Sequence, residues 1–224
     1  MQHRTVGDLM TRDVVRVHRD APFKTIIRLM AESEVTALPV VDDLDHPVGV
    51  VSEADLLRTV AAHPDPAGLP LSPRLLEGDQ PGAEGVTAGE LMSAPPVCAR
   101  PGWTVVEAAR LMDAERVKRL PVVDETDTLV GIVSRADLLR IFLRRDEAMR
   151  DEIIVDVLTR TLHLAPTDVV VTVQDGRVTL KGNVDAPSLV PVIERLCRGV
   201  DGVVSVSADL SLRAEGAQTP GGVA

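Results

Sequence analysis

The chain has 224 residues, 45% of them apolar and 26% charged, and a formal net charge of −10. This composition is that of a globular protein with room for two modest domains, and no apolar run approaches the ~18 residues that a membrane span requires. Nucleic-acid binding relies on Lys and Arg and on aromatic stacking, so a negative charge and 1% aromatic residues argue against DNA or RNA as a partner.

The first part of the chain contains an internal duplication. At an offset of 82 residues, residues 6–58 align without a gap with residues 88–140, and 23 of the 53 aligned positions are identical. The most similar stretches are GDLMT with GELMS, LPVVD in both copies, and GVVSEADLLR with GIVSRADLLR. Self-similarity of this kind indicates two copies of one structural unit.

Both copies show the same order of predicted elements. In the first copy, VVRV at residues 14–17 predicts a short strand, and the i, i+3, i+4, i+7 spacing of apolar residues from Phe23 predicts an amphipathic helix. Two apolar runs, LPVVD and the run that ends before Ser52, predict strands around a polar turn, and a second helix is predicted to begin at Ser52. The second copy repeats this pattern with its first strand near Val97. Each copy is therefore predicted to be β-α-β-β-α.

A different pattern follows the second copy. Residues 138–164 predict one helix or two helices broken near Arg145, and an Asp-Gly pair at residues 175 and 176 is a strong hairpin signal. A helix and an alternating strand complete an α-β-β-α-β order. We divide the chain into residues 1–62 (first repeat), 63–86 (a Pro- and Gly-rich linker), 87–145 (second repeat), 146–213 (the C-terminal domain) and 214–224 (a disordered tail).

Both copies place Ser-x-x-Asp at a strand-to-helix junction, as Ser52 with Asp55 and as Ser134 with Asp137. One interpretation is a capping box, which contributes ~1 kcal/mol to helix stability. The other is a binding site, because a helix start attracts anions and a carboxylate at the sheet rim can accept the hydroxyls of a ribose. These residues alone leave both interpretations open.

Together, the motifs resemble a tandem pair of cystathionine-β-synthase (CBS) domains, the Bateman module, over roughly residues 1–142. The shared features are the Leu-Met start, the LPVVD strand and the Gly-x-x-Ser-x-x-Asp turn, which both copies contain. The resemblance implies an α/β (α+β) fold in which two β-α-β-β-α repeats form a pseudo-twofold pair. It also implies a homodimer that binds an adenosine-containing ligand (AMP, ADP, ATP or S-adenosylmethionine) in clefts shared between the repeats.

The resemblance implies two related clefts. For the first cleft, the implied contacts are Thr11, Val14, Val35, Thr36, Ile132, Ser134 and Asp137. For the second cleft, they are Val50, Ser52, Asp55, Ser93, Val97, Val117 and Lys118.

The two copies differ in charge just before LPVVD. Lys118 and Arg119 of the second copy stand where the first copy has Thr36 and Ala37. In the nucleotide-binding gamma subunit of AMP-activated kinase, the equivalent pair is basic and contacts phosphate, and charge-assisted bonds of this kind are about twice as strong as neutral ones. We therefore expect Lys118 and Arg119 to give the Asp137 cleft a preference for phosphorylated ligands. The alternative is that both residues only solubilise an exposed strand start.

The C-terminal domain resembles a BON domain over residues 147–213. The matching stretches are DGRVTLKGNV and VDGVVSV, with Gly182 and Gly202 at the family's glycine positions. The resemblance implies attachment to phospholipid or another surface, but the segment's negative charge opposes anionic headgroups. Contact with a protein, or packing against the CBS pair, is the alternative.

Neither a catalytic site nor a metal site is predicted. Cys98 and Cys197 are far apart and form no CxxC motif, and none of the five histidines lies in a metal-ligand spacing or beside a nucleophile motif. With no secretory signal in the sequence, we expect a cytoplasmic, non-enzymatic sensor that relays ligand occupancy to the BON-like domain or to a partner protein. A ligand-free dimerisation scaffold and a membrane-surface adaptor stay open as other functions.

Overall fold

The computed structural model describes residues 4–61 and 86–213. The predicted disordered tail and all of the predicted linker except Val86 lie outside the described residues. Val86 is buried, and its carbonyl accepts a hydrogen bond from the Phe23 amide at 3.1 Å. It therefore belongs to the packed core of the repeats.

The described residues form two compact units. One unit is Thr5–Leu138, which contains both copies of the duplication, and the other contains residues 139–213 together with Arg4.

The first copy has three helices and three short strands: α1 (Val6–Leu9), β1 (Val17–His18), α2 (Phe23–Glu32), β2 (Ala37–Val41), β3 (Pro47–Ser52) and α3 (Glu53–Ala61). Strand β1 pairs parallel to β2, and β2 pairs antiparallel to β3. The predicted β-α-β-β-α order is confirmed, with two differences. A four-residue helix precedes it, and the first strand begins only at Val17, so Val14 lies in the loop before it.

The second copy repeats most of this order as α4 (Ala88–Leu91), α5 (Val105–Ala114), β4 (Arg119–Val123), β5 (Leu129–Ser134) and α6 (Arg135–Leu139). Strands β4 and β5 pair antiparallel. The strand predicted near Val97 does not form, and only Ala99 makes an isolated parallel bridge, to Val122. Pro95 and Pro96 precede this position, and proline lacks the N–H that a strand ladder needs.

The amphipathic helices pack as their spacing predicts. Phe23, Ile26 and Met30 of α2 are buried against a core that includes Leu38 of β2, and Ile26 and Leu38 are fully inaccessible to solvent. Such side chains contribute roughly 1.5–3 kcal/mol each when they are removed from water. This packing holds the strand-to-helix junctions in place.

The C-terminal unit follows the predicted α-β-β-α-β order. Its elements are α7 (Asp146–Glu152), a π-helical segment (Ile153–Thr161) that continues it, β6 (Val169–Gln174), β7 (Arg177–Val184), α8 (Leu189–Arg198) and β8 (Ser205–Leu212). The predicted break lies at Arg145, the residue that precedes α7. Strand β7 pairs antiparallel to β6 and parallel to β8.

The Asp-Gly hairpin turn of this unit is anchored by the start of α7. Asp175 and Gly176 have φ values of 50° and 71°, as the turn between β6 and β7 requires. The Asp146 carboxylate accepts hydrogen bonds from the amides of Asp175 at 2.7 Å and Gly176 at 3.0 Å. The helix and the hairpin are therefore tied together by polar contacts as well as by the core.

Candidate functional site

Each Ser-x-x-Asp junction borders a cleft in the Thr5–Leu138 unit. The cleft at Asp137, here called the Asp137 cleft, has a volume of about 560 Å³, and the cleft at Asp55, the Asp55 cleft, has a volume of about 520 Å³. Both volumes lie in the range of small-molecule sites.

The structure brings the predicted residues together in two groups. Lining the Asp137 cleft are Thr11, Val14, Val35, Thr36, Lys118, Arg119, Ile132, Ser134 and Asp137. Lining the Asp55 cleft are Val50, Ser52, Asp55, Ser93, Val97, Val117 and Lys118. Every predicted contact residue thus lies at its predicted cleft, while its contact with a ligand stays a prediction.

Backbone hydrogen bonds between the copies close the wall of each cleft. In the Asp137 cleft, the amides of Thr11 and Ile132 each donate to the other residue's carbonyl at 2.9 Å. In the Asp55 cleft, Val50 and Ser93 exchange the equivalent pair of bonds at 3.1 and 2.9 Å. Both clefts are therefore shared between the copies, with β5 or β3 on one side and the Leu-Met segment of the other copy opposite.

Two glycines allow this close approach. A β-carbon on Gly131 of β5 would overlap Sδ of Met10, and a β-carbon on Gly49 of β3 would overlap Sδ of Met92. The methionine of each Leu-Met start thus covers the glycine of the other copy's Gly-x-x-Ser motif. This contact explains why both motifs recur in each copy.

The Ser-x-x-Asp residues form local caps in both copies. The amide and hydroxyl of Ser134 donate to Oδ2 of Asp137 at 2.9 and 2.5 Å, and the Asp137 amide donates to the Ser134 hydroxyl at 3.3 Å. Ser52 makes the corresponding two bonds to Oδ2 of Asp55 at 2.8 and 2.6 Å. The capping interpretation is therefore correct for the carboxylates, and their place on the cleft walls is compatible with binding as well.

The two carboxylates differ in their accessibility. Asp55 is buried, with 7% of its surface exposed, and its Oδ1 accepts a hydrogen bond from Nη1 of Arg58 at 2.8 Å. Asp137 is half-buried. A ribose in the Asp55 cleft would therefore have to share Asp55 with the Arg58 guanidinium.

Arg119 lies at the junction of the two clefts. Its guanidinium donates to Oγ1 of Thr36 at 2.5 Å and to the carbonyl of Ala37 at 3.5 Å, so it spans from the second copy to the first. Burial lowers the pKa of the Arg119 guanidinium, and the Glu53 carboxylate opposes that shift. Lys118 and Arg119 line both clefts, so they do not by themselves distinguish the Asp137 cleft from the Asp55 cleft.

Further charged residues do distinguish the clefts. Glu34 lines the Asp137 cleft, whereas its equivalent at the offset of 82, Arg116, lines the Asp55 cleft. Asp13 of the Asp137 cleft is likewise replaced by Pro95 in the Asp55 cleft. The prediction from sequence missed these residues, although a position-by-position comparison of the copies would have paired Glu34 with Arg116.

The charged lining is balanced in one cleft and positive in the other. In the Asp137 cleft, three acidic residues face three basic ones: Asp13, Glu34 and Asp137 with Lys118, Arg119 and Arg135. In the Asp55 cleft, two acidic residues face four basic ones: Glu53 and Asp55 with Arg58, Arg116, Lys118 and Arg119. The Asp55 cleft is therefore the more positive of the two.

Residues 4–61 and 86–213 lack two other functional features. These residues contain no group of three or more His, Cys, Asp or Glu side chains that could hold a metal ion. They also contain no helix with the length and apolar character needed to cross a bilayer.

Models of two domain families match the chain. The model of the CBS domain matches residues 6–62 and 88–144, which together make up half of the chain. The model of the BON domain matches residues 146–214.

Curated proteins match the duplicated part of the chain. An uncharacterized protein of Methanocaldococcus jannaschii is 32% identical over 149 residues, which cover 60% of this chain and 88% of that protein. The chloroplastic CBS domain-containing protein CBSX2 of Arabidopsis thaliana is 32% identical over 152 residues, with 62% of this chain and 64% of that protein covered. A homoserine O-acetyltransferase of Methanococcoides burtonii is 30% identical over 141 residues, which cover 63% of this chain and 25% of the enzyme.

Solved structures of CBS pairs share the fold of this part of the chain. The structure of CBSX2 in complex with AMP has a TM-score of 0.50 at 33% identity and covers 62% of this chain and 96% of that chain. The CBS domain pair of protein MJ0100, in complex with 5′-methylthioadenosine and S-adenosyl-L-methionine, has a TM-score of 0.51 at 20% identity, with 63% of this chain and 97% of that chain covered. At this lower identity, the second likeness concerns the fold alone.

Proposed function

Because the chain belongs to the family of CBS-domain proteins and contains a C-terminal BON domain, we propose that it is a regulatory protein that binds an adenosine-containing ligand between its two CBS repeats. The observation that carries this proposal is the pair of shared clefts, each with a Ser-x-x-Asp junction on its wall. The AMP complex of CBSX2 supports it, since that protein is 33% identical to this chain.

The lining of the Asp137 cleft suits an adenosyl group. In our proposal, the Asp137 carboxylate accepts hydrogen bonds from the ribose hydroxyls, as acidic residues do in dinucleotide sites. Ile132, Val14 and Val35 supply an apolar surface for the adenine ring, and the Ser134 hydroxyl faces the sugar or phosphate. The Asp55 cleft offers the same arrangement with Val50, Ser52 and Val97.

Binding regulates only if the ligand has different affinities for two conformations of the protein. We propose that occupancy of the clefts changes such an equilibrium and that the change is relayed to the BON domain or to a partner protein. We further propose that the protein acts as a homodimer, without catalysis of its own. The match to the homoserine O-acetyltransferase of Methanococcoides burtonii covers only a quarter of that enzyme, so it does not argue for the same activity in this chain.

A ligand screen separates this proposal from a ligand-free scaffold. Isothermal titration calorimetry and thermal denaturation of the full chain with adenosine, AMP, ADP, ATP and S-adenosylmethionine are expected to give saturable heat and a raised melting temperature, because a ligand stabilises the state that it binds. If none of these compounds binds at millimolar concentration, the proposal is wrong and the scaffold is favoured.

A matched pair of variants tests the role of Asp137 itself. Asp137→Ala is expected to weaken, at least tenfold, the binding of the ligand that occupies the Asp137 cleft, and to reduce stability by about 1 kcal/mol through loss of the cap. Glu107→Ala is the control, because Glu107 caps α5 through Thr104 at 2.7 Å and lies outside the lining of both clefts. It is expected to reduce stability to a similar extent while leaving affinity unchanged. Similar affinity in both variants would restrict Asp137 to capping.

A further inference from the structure

We propose that the two clefts take adenosyl ligands of different charge: the Asp55 cleft takes a phosphorylated nucleotide, and the Asp137 cleft takes an adenosyl ligand without phosphate groups. This inference rests on the proposed function and reverses the preference expected from Lys118 and Arg119. The inference is based on the charged residues that line only one of the two clefts.

The shared cations do not decide the preference. Lys118 and Arg119 line both clefts, and the guanidinium of Arg119 is held between them by Thr36 and Ala37. Both residues therefore contribute positive charge to each site. The difference between the clefts therefore comes from the residues that only one of them contains.

On balance, those residues favour a phosphate in the Asp55 cleft. One pair has the opposite sign, because Glu53 of the Asp55 cleft is replaced by Arg135 in the Asp137 cleft, but the Asp55 cleft keeps the excess of basic residues. There, Arg116 and Arg58 line the wall, and Arg58 is kept at the cleft by its 2.8 Å ion pair with Asp55. In the Asp137 cleft, the positions equivalent to Arg116 and Pro95 are the acidic residues Glu34 and Asp13. An arginine forms charge-assisted hydrogen bonds with a phosphate, whereas a carboxylate repels it. Arg116 therefore favours a phosphate in the Asp55 cleft, and Glu34 at the equivalent position disfavours one in the Asp137 cleft.

The backbone at Glu34 and Arg116 supports a role for their side chains. Each residue follows the C-terminal end of its helix, α2 or α5, in the left-handed region, with φ values of 52° and 54°. Glycine is the usual residue at such a position because any side chain costs energy there. Both copies instead keep a long charged side chain at the rim of a cleft.

The same geometry provides a test that preserves the fold. Glu34 and Arg116 have similar φ values, 52° and 54°, so each exchange replaces one long charged side chain by another at the same kind of backbone position. We therefore choose the exchanges Arg116→Glu and Glu34→Arg in the full chain. Arg28→Glu, an exposed charge reversal on α2 outside the lining of both clefts, is the control for net charge.

Calorimetric titration with AMP and adenosine isolates the phosphate contribution. Arg116→Glu is expected to weaken AMP binding about tenfold or more, because one charge-assisted contact is lost and the new carboxylate repels the phosphate. Adenosine binding is expected to be unchanged. Glu34→Arg is expected to add a second equivalent of bound AMP per chain. Arg28→Glu is expected to leave the affinity for both AMP and adenosine unchanged.

The outcomes distinguish this inference from the proposed function. If adenosine and AMP bind to the wild type but Arg116→Glu leaves AMP affinity unchanged, the assignment is overturned and the proposed function stands. The assignment is also overturned if Arg135→Glu weakens AMP binding and Arg116→Glu does not, because that result would place the phosphate in the Asp137 cleft. If neither compound binds to the wild type, the proposed function and the assignment fail together.

Discussion

At the scale of single residues, Arg116 sits where stability and binding have opposite requirements. Its positive φ favours glycine, whereas the proposed phosphate contact needs a guanidinium. Arg116→Gly is therefore expected to raise the free energy of unfolding by up to about 1 kcal/mol while weakening AMP binding about tenfold. Urea denaturation measures the first effect, and calorimetry measures the second.

Arg116→Ala is the matched variant. Alanine keeps the energetic cost of the left-handed backbone and removes the charge. It is therefore expected to weaken AMP binding as much as the glycine variant does, but without raising the free energy of unfolding. If both variants bind AMP like the wild type, Arg116 does not contact phosphate. If both lose stability, its side chain has a packing role instead.

At the scale of elements, the helices of the second copy start with carboxylate caps that respond to acid. Glu90 and Glu107 accept hydrogen bonds from the amides of Thr87 at 2.8 Å and Thr104 at 2.7 Å. These bonds, together with those from the threonine hydroxyls, hold the pKa of each carboxyl below its usual value of 4.5. A carboxyl whose pKa is lowered by folding stabilises the protein above its unfolded pKa, and this stabilisation is lost as pH falls through the folded pKa.

Replacing both caps with glutamine is expected to reduce the acid sensitivity of the Thr5–Leu138 unit. The Glu90→Gln/Glu107→Gln variant keeps acceptors at the capping positions but no longer titrates. Its stability is expected to fall less than that of the wild type between pH 6 and pH 3.5, as urea denaturation at each pH would measure. Glu32→Gln, at the end of α2, is the control, and an unchanged slope in the double variant would contradict the role of the caps.

The elements also indicate what a sequence can predict. The long helices and the hairpins were predictable because apolar spacing and turn residues specify them locally, as at Phe23 in α2 and Gly176 in the C-terminal turn. The four-residue helix α1 is too short to show a period. The strand predicted near Val97 is reduced to a single bridge at Ala99, which is the equivalent of Val17, where the strand of the first copy also begins. Apolar residues alone do not show where such a short strand starts.

The same distinction applies to the clefts. Ser134 and Asp137 belong to a motif that resembles a known family, so their place on the cleft wall could be predicted. The reach of Arg119 to Thr36 could not, because it depends on how the two copies pack. The charge difference at Glu34 and Arg116 depends on a loop that belongs to no motif, and only the structure shows that this loop faces a cleft.

At the scale of the whole molecule, duplication and divergence have separate consequences. The duplicated glycine and methionine contacts build two clefts of similar volume from the same parts. The diverged charges then give these clefts different electrostatics. If both clefts bind adenosyl ligands as we propose, each ligand contacts both copies, because each cleft is lined by residues from both copies.

The proposed relay to the BON domain has a consequence that spans the chain. A ligand at one hundred times its Kd stabilises the unit that it binds by about 2.7 kcal/mol, so AMP is expected to slow amide hydrogen exchange in the Thr5–Leu138 unit. Because coupling between two sites is reciprocal, relay requires exchange in β6 and β7 to change as well. Hydrogen–deuterium exchange with mass spectrometry, with and without AMP, measures both regions. For Arg116→Glu, whose Kd is expected to rise about tenfold, the same AMP concentration is only about ten times Kd and stabilises the unit by about 1.4 kcal/mol, so both effects are expected to shrink together. Protection confined to Thr5–Leu138 would contradict relay to the BON domain and leave a partner protein as the receiver.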